Sequence, residues 1–138
     1  MNLAAVLLAL ALTSAQATSV LIQVESRPGL TFNREVPSVA TVSTPWGIRT
    51  VRLNRGTLYS SDPNHYWSSL TPVLVQLRTP PGLAAGRYPV SVQTDLYVCD
   101  QNIHLCSVRP ASAQGELEVG AAAPKLTLTL SIPKLRGF

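Results

Sequence analysis

The stretch Val-Ser-Val-Gln-Thr-Asp-Leu-Tyr-Val-Cys-Asp-Gln-Asn-Ile-His-Leu-Cys, residues 90–106, determines how this chain is expected to fold. Apolar and polar residues alternate from Val90 to Val98, which is the period of a β-strand with one buried face. The polar residues after Cys99 indicate a hairpin connection to a second strand that begins near Cys106. Because antiparallel neighbours bring Cα atoms within disulfide range close to a hairpin end, these two cysteines are predicted to be able to bond.

Side-chain parity along this strand decides which face carries the first cysteine. The even-numbered residues from Val90 to Val98 face the core, and the odd-numbered ones, including Tyr97 and Cys99, face the polar side. A core disulfide of the immunoglobulin kind would lie on the apolar face and join distant strands. The sequence therefore predicts a hairpin disulfide on the outer face, and a β-bulge before Cys99 would reverse that assignment.

Period-two alternation continues through the chain, and no apolar stripe with helical spacing follows residue 17. Pro-Gly-Leu occurs at residues 28–30 and 81–83, which predicts two similar strand-ending turns. Seven or eight short strands separated by such turns predict an all-β fold, an immunoglobulin-like β-sandwich, with a barrel as the alternative. Apart from the hairpin that contains the two cysteines, strands are predicted at residues 20–24, 73–77, 117–119 and 126–132, with weaker ones at 39–42, 48–53 and 57–59.

The N-terminus has the pattern of a cleavable signal peptide. An uninterrupted run of Leu, Ala and Val from Leu3 to Leu12 precedes the small-x-small sequence Ala15-Gln16-Ala17. About ten apolar residues are too few to cross a bilayer, which needs about 20. We therefore predict a signal peptide at residues 1–17 and one β-sandwich domain at residues 18–138, periplasmic or secreted and without stable membrane insertion after cleavage. The alternative is an uncleaved anchor.

Composition excludes several classes of function. The chain is 46% hydrophobic and 13% charged, which is typical of a folded domain and not of a disordered one. Its 11 basic residues outnumber 7 acidic ones but are scattered singly, so no nucleic-acid partner is expected. His65 and His104 lack zinc-type spacing to the cysteines, and no serine lies in a nucleophile-elbow motif. We expect no metal and no cofactor.

The residues leave open whether the predicted disulfide is structural or reactive. In the chain-entropy model, a bridge that closes about eight residues stabilises by about 2.5 kcal/mol, which is modest for a disulfide. His104, two residues before Cys106, favours the thiolate, and Asp100, next to Cys99, disfavours it.

Residues 60–69 are predicted to form a long polar loop with Tyr66 and Trp67 at its tip. Loops of this length often carry function. The alternative is that the two aromatic residues pin the loop to the edge of the sandwich.

The segment at residues 74–119 resembles a known family. It contains Leu-x-x-Pro-Pro-Gly-Leu, then Gly-Arg-Tyr-Pro-Val, then a strand into Tyr-Val-Cys-Asp, a second cysteine and a returning Leu-Glu-Val strand. In this order the motifs resemble the N-terminal periplasmic domain of the thiol:disulfide interchange protein DsbD, and they are similar to β-sandwich tails of thioredoxin-like and NHL-repeat proteins.

This resemblance implies an immunoglobulin-like sandwich whose two cysteines pass electrons from a membrane reductase to periplasmic partners. Cys99 and Cys106 take the two cysteine positions, and Asp100 takes the acidic position after the first. Tyr66 and Trp67 are candidates for the aromatic cap loop that shields the family's disulfide.

We therefore predict an exported thiol–disulfide exchange domain that uses Cys99 and Cys106, with Tyr97, Asp100 and His104 as modulators. Its expected partners are thioredoxin-like proteins or a membrane thiol reductase. Local charge makes Cys106 the better leaving group and Cys99 the sulfur attacked, whereas the resemblance assigns exchange to Cys106, and we follow the resemblance. The alternative is an exported binding or structural module with an inert hairpin disulfide.

Overall fold

The computed structural model describes residues 17–120 and 125–133, and this part of the chain contains ten β-strands and no helix. In the same residues nothing helical is long and apolar enough to span a bilayer. The predicted signal peptide lies outside the described residues except for Ala17, where the first strand begins. The strands are β1 (Ala17–Val24), β2 (Leu30–Asn33), β3 (Ser38–Thr44), β4 (Gly47–Leu53), β5 (Gly56–Leu58), β6 (Tyr66–Leu70), β7 (Val73–Arg78), β8 (Gly86–Asp100), β9 (Leu105–Val119) and β10 (Lys125–Leu130).

The larger of two sheets is built around β8. Along one flank, β9 pairs antiparallel with all 15 residues of β8, from Gly86 opposite Val119 to Asp100 opposite Leu105. Along the other flank, β3 pairs with the middle of β8 and β2 pairs with its end. Strand β4 extends this sheet beyond β3, and β6 and β5 extend it beyond β2. Strand β8 is therefore the long central strand of this seven-stranded sheet.

The smaller sheet has three strands, with β1 between β10 and β7. Strand β1 runs parallel to β10 and antiparallel to β7. Apolar side chains from both sheets form one core, because the alternation found in the sequence points every second side chain inward. The largest of these side chains are at most 1% exposed, among them Val20, Ile22, Phe32, Leu96 and Leu130.

The prediction of an all-β, two-layer sandwich is confirmed. The number of strands is ten rather than seven or eight, because β2 and β6 were not recognised. Strand β2 has only four residues, and the first three are buried, so it shows no alternation. The prediction of a loop over residues 60–69 is wrong in its second half, because Tyr66–Leu70 forms β6. Tyr66 and Trp67 lie in that strand, as aromatic residues favour extended structure.

The two Pro-Gly-Leu sequences form the similar turns that were predicted. Gly29 has a φ of 82° and Gly82 a φ of 78°, the left-handed region that glycine adopts without steric cost. In each turn the leucine N–H donates to the carbonyl three residues earlier, at 3.2 Å for Leu30 and 3.3 Å for Leu83. Proline followed by glycine fits a type II turn, which explains the repeated motif.

Candidate functional site

Cys99 and Cys106 form a disulfide that joins β8 to β9. The two residues lie directly opposite each other in the antiparallel ladder, with Cα atoms 3.9 Å apart. The bond is one pair away from the hairpin turn, since Asp100 pairs with Leu105. The predicted pairing of the two cysteines is therefore present in the structure.

The hydrogen bonds between β8 and β2 show in which direction the backbone N–H and C=O groups of Cys99 point. The N–H of Gln101 donates to the carbonyl of Gly29 at 2.8 Å, and in the register of the two strands Cys99 lies opposite Thr31. Since backbone groups alternate in direction along an antiparallel strand, the N–H and C=O of Cys99 also face β2. Cys99 and Cys106 are consequently a non-hydrogen-bonded pair, and the N–H and C=O of Cys106 point away from β8.

Cys99 lies on the outer face of the sheet, as parity predicted, yet it is only 2% exposed. Thr31 lies beside it on β2 and is itself 1% exposed. The Thr31 hydroxyl donates to the carbonyl of Cys99 at 3.2 Å and accepts a hydrogen bond from Gln101 Nε2 at 2.8 Å. The side of Cys99 that faces β2 is therefore covered by a hydrogen-bonded threonine and glutamine.

Cys106, in contrast, is exposed. It lies on β9, which pairs within the described residues only with β8. Three apolar side chains near it are also exposed, namely Ile103 at 47%, Leu105 at 42% and Val108 at 48%. A shallow depression of about 220 Å³ contains the disulfide and is lined in part by Asn33, Tyr97 and Val108. Cys106 is therefore the exposed residue of the bonded pair.

The hairpin turn between the cysteines is held by its own polar residues. The N–H of Asn102 donates to a carboxylate oxygen of Asp100 at 2.9 Å, a local turn that Asp readily forms. His104 ends the turn with a φ of 52°, which is uncommon for a residue other than glycine, and it is exposed. Asp100, the last residue of β8, and His104, the last residue of the turn, were both predicted as modulators and thus lie close to the disulfide in the chain.

The three predicted aromatic residues take different positions. Tyr97 lies on the same face as Cys99, two residues away along β8, and lines the depression. Tyr66 lies on β6, opposite Asn33 of β2, so two strand spacings, or roughly 10 Å, separate its backbone from β8. Trp67 packs against the core and under the guanidinium of Arg34, 4.6 Å from the ring centre. The structure brings Tyr97 to the disulfide and places Tyr66 and Trp67 further away.

Charged side chains from the segment before β6 and from the residues after β2 form a cluster. His65 Nδ1 lies 2.7 Å from an oxygen of Asp62, and its Nε2 lies 3.7 Å from an oxygen of Glu35. The hydrogen bond with Asp62 raises the pKa of His65 above its ordinary value, and the charges of Asp62 and Glu35 add to that effect. The Arg34 guanidinium donates to the carbonyl of Pro63 and so ties the same segment to the end of β2. Among the described residues, no group of three His, Cys, Asp or Glu side chains could hold a metal ion.

Sequence reasoning missed the residues that cover Cys99. Thr31 and Gln101 are hydrogen-bonded beside Cys99 on the side of β2, and Asn33 lines the depression. The turn signal before β2 could have located Thr31 in a strand. Nothing in the sequence indicates which strand β2 pairs with.

Comparison with known proteins does not assign this chain to a family. No protein-family model matches the chain, and no curated protein matches it. Among solved structures, the chain is similar to a fimbrial assembly protein from Parabacteroides distasonis, with a TM-score of 0.42 and 10% sequence identity. The similarity covers 85% of this chain and 53% of that protein, so the chain spans about half of its length. The resemblance to DsbD stays a prediction.

Proposed function

We propose that this protein is an exported thiol–disulfide exchange protein that uses Cys99 and Cys106. The observation that carries the proposal is the difference between the two sulfur positions, since Cys99 is 2% exposed and Cys106 is exposed on an edge strand. A partner thiolate can reach one sulfur, and the other is kept as an internal leaving group. Exchange through a mixed disulfide requires that a partner thiolate reach one of the two sulfurs, and its rate depends on that access.

The small structural contribution of the bond also supports exchange. The two cysteines are seven positions apart, and they belong to a hairpin whose strands are paired over 15 residues. Closing so short a loop stabilises by about 2.5 kcal/mol in the chain-entropy model, roughly half the value for a hundred-residue loop. Strands already held in register gain little from such a bond.

Export is the part of the proposal that rests on the sequence. The N-terminal pattern is that of a signal peptide, and disulfides persist in oxidising compartments such as the periplasm. The two cysteines of this sequence make one dithiol, so in the proposed exchange electrons arrive from a second dithiol and leave to another disulfide. Thioredoxin-like proteins and a membrane thiol reductase are the partners we propose.

A binding or structural module with an inert disulfide is the second candidate. The near-complete burial of Cys99 favours it, because a covered sulfur is protected from reduction. The two candidates differ in reduction potential, since structural disulfides in secreted proteins lie below about −300 mV and exchanging ones lie higher.

The deciding experiment equilibrates the purified protein with thiol redox buffers of known potential and measures the fraction of reduced cysteine by mass after alkylation. A potential above about −300 mV supports exchange. A lower potential, together with no reduction by a thioredoxin-like protein, would establish the inert disulfide.

A further inference from the structure

We propose that the open edge of β9 at Cys106 and Val108 binds an extended segment of the partner polypeptide, which carries the attacking thiol. This inference rests on the proposed exchange function and adds the class of reductant. The reductant is a protein dithiol that pairs with the edge as an added strand, rather than a small free thiol. Three observations support it.

The first observation is the direction of attack. A thiolate that displaces a sulfur approaches on the side opposite to the sulfur that leaves. The bond runs from Cys99 on β8 to Cys106 on β9, so attack on Cys106 comes from beyond β9, over the open edge of the sheet. Attack on Cys99 would have to come from the side of β2, where Thr31 is 1% exposed. The accessible line of approach therefore passes over the free edge.

The second observation is the orientation of the edge backbone. Since Cys99 and Cys106 are a non-hydrogen-bonded pair, Cys106 and Val108 direct their N–H and C=O groups outward. The backbone of Pro110 also faces away from β8, and proline has no N–H to donate. Strands tolerate proline at such positions, because no neighbouring strand needs the N–H. A partner strand can thus pair at Cys106 and Val108, next to the disulfide, and loses a donor at Pro110.

The third observation is charge. Strand β9 carries no carboxylate between Leu105 and Gly115, and the cationic side chain on that stretch is Arg109. The two acidic residues of β9, Glu116 and Glu118, lie at the far end. The Asp100 carboxylate accepts the N–H of Asn102 within the turn. An anionic thiolate therefore meets no carboxylate on β9 where it must dock.

The reaction balances with a partner that carries two thiols. The partner thiolate forms a bond to Sγ of Cys106, the bond between the two cysteines breaks, and Cys99 leaves as a thiolate that takes up a proton. The second partner thiol then attacks the mixed disulfide and releases Cys106. The partner dithiol is oxidised to a disulfide, and Cys99 and Cys106 are reduced to two thiols.

The test compares two reductants on three proteins. The reductants are dithiothreitol and a short extended peptide with two cysteines, and the proteins are wild type, Val108→Pro and Ser112→Pro. Both substitutions remove an outward N–H and no bond to β8, but Ser112 lies beyond Pro110. We expect Val108→Pro to slow reduction by the peptide about fivefold, as expected for one backbone hydrogen bond, with dithiothreitol rates within about twofold. Ser112→Pro should leave both rates unchanged.

A matched probe keeps the test valid if Val108→Pro does not fold. The same peptide with N-methylated amides beside its reactive cysteine cannot pair with an edge, and it should reduce the wild-type protein about fivefold more slowly than the unmodified peptide. Equal rates with the two peptides would overturn the docking proposal, as would equal slowing of peptide and dithiothreitol by Val108→Pro. Either of these results would contradict docking at the edge without contradicting the proposed exchange function. A wild-type disulfide with a potential below about −300 mV that neither reductant opens would instead refute the proposed function.

Discussion

On one flank of β8, Cys99 lies opposite Thr31 in the interior of the sheet, and on the other flank it lies opposite Cys106 on an edge strand. On the first flank, Thr31 forms hydrogen bonds with Cys99 and Gln101, whereas on the second flank no further strand of the described residues pairs with β9. The comparison teaches that position within a sheet can make two chemically identical sulfurs unequal. No charge next to either cysteine is needed for this difference.

The largest expected effect is on trapping of a partner. The variant Cys99→Ser keeps the exposed Cys106, whose thiolate should open the disulfide of an oxidised thioredoxin-like protein and form a mixed disulfide, with one partner sulfur leaving as a thiol. This reaction should be at least about tenfold faster than with Cys106→Ser, which keeps the covered Cys99. Mass spectrometry of the trapped species under non-reducing conditions measures both rates. Faster trapping by Cys106→Ser would show that the covered flank opens in solution.

The next largest effect is on stability. Replacing both cysteines by serine should lower the free energy of unfolding by no more than about 2 to 3 kcal/mol, because the bond closes a short loop. Denaturant titration followed by circular dichroism measures the change, and the β-sheet spectrum should survive at room temperature. Loss of the fold in the double variant would favour the structural disulfide.

A smaller effect should follow from uncovering Cys99. In the Cys106→Ser background, Gln101→Ala removes the hydrogen bond to Thr31, so the free energy of unfolding should fall by about 1 kcal/mol and alkylation of Cys99 should become faster. Gln93→Ala is the matched control, because Gln93 lies on the same face of β8 and is exposed. Equal alkylation rates in the two variants would mean that Gln101 does not protect the sulfur.

The smallest effect concerns how stability depends on pH through Asp62 and His65, in the segment before β6. Because Asp62 raises the pKa of His65, the folded state binds the imidazole proton more tightly than the unfolded state does. This stabilisation is complete below the ordinary pKa of 6.5 and is lost as pH rises through the raised pKa. The melting temperature of the wild type should therefore exceed that of Asp62→Asn at about pH 5 and converge with it by about pH 9. A difference that grows with pH would contradict this assignment.

Sequence alone predicted the parts of the site that depend on near neighbours. The alternation into Cys99 and the polar turn after it were sufficient to predict the hairpin, the disulfide and the outer face, because strand parity and turn chemistry are local properties. Burial of Cys99 was not predictable, because Thr31, which covers it, is 68 positions away and belongs to a strand too short to show a period. Tyr66 and Trp67 were expected at a loop tip because the polar residues before them are typical of loops.

The proline that ends the proposed docking segment has a second consequence, for the behaviour of concentrated protein. Within the described residues, β9 pairs only with β8 along its 15 residues, and such an edge would otherwise invite a second copy of the chain to add its own edge and begin aggregation. Pro110 removes one outward donor and divides that edge into two shorter stretches, and the farther stretch carries the charges of Glu116 and Glu118. Proline and charge on edge strands are both means by which natural sheets avoid polymerising. Replacing Pro110 by valine should therefore lower the solubility of the protein without affecting its disulfide.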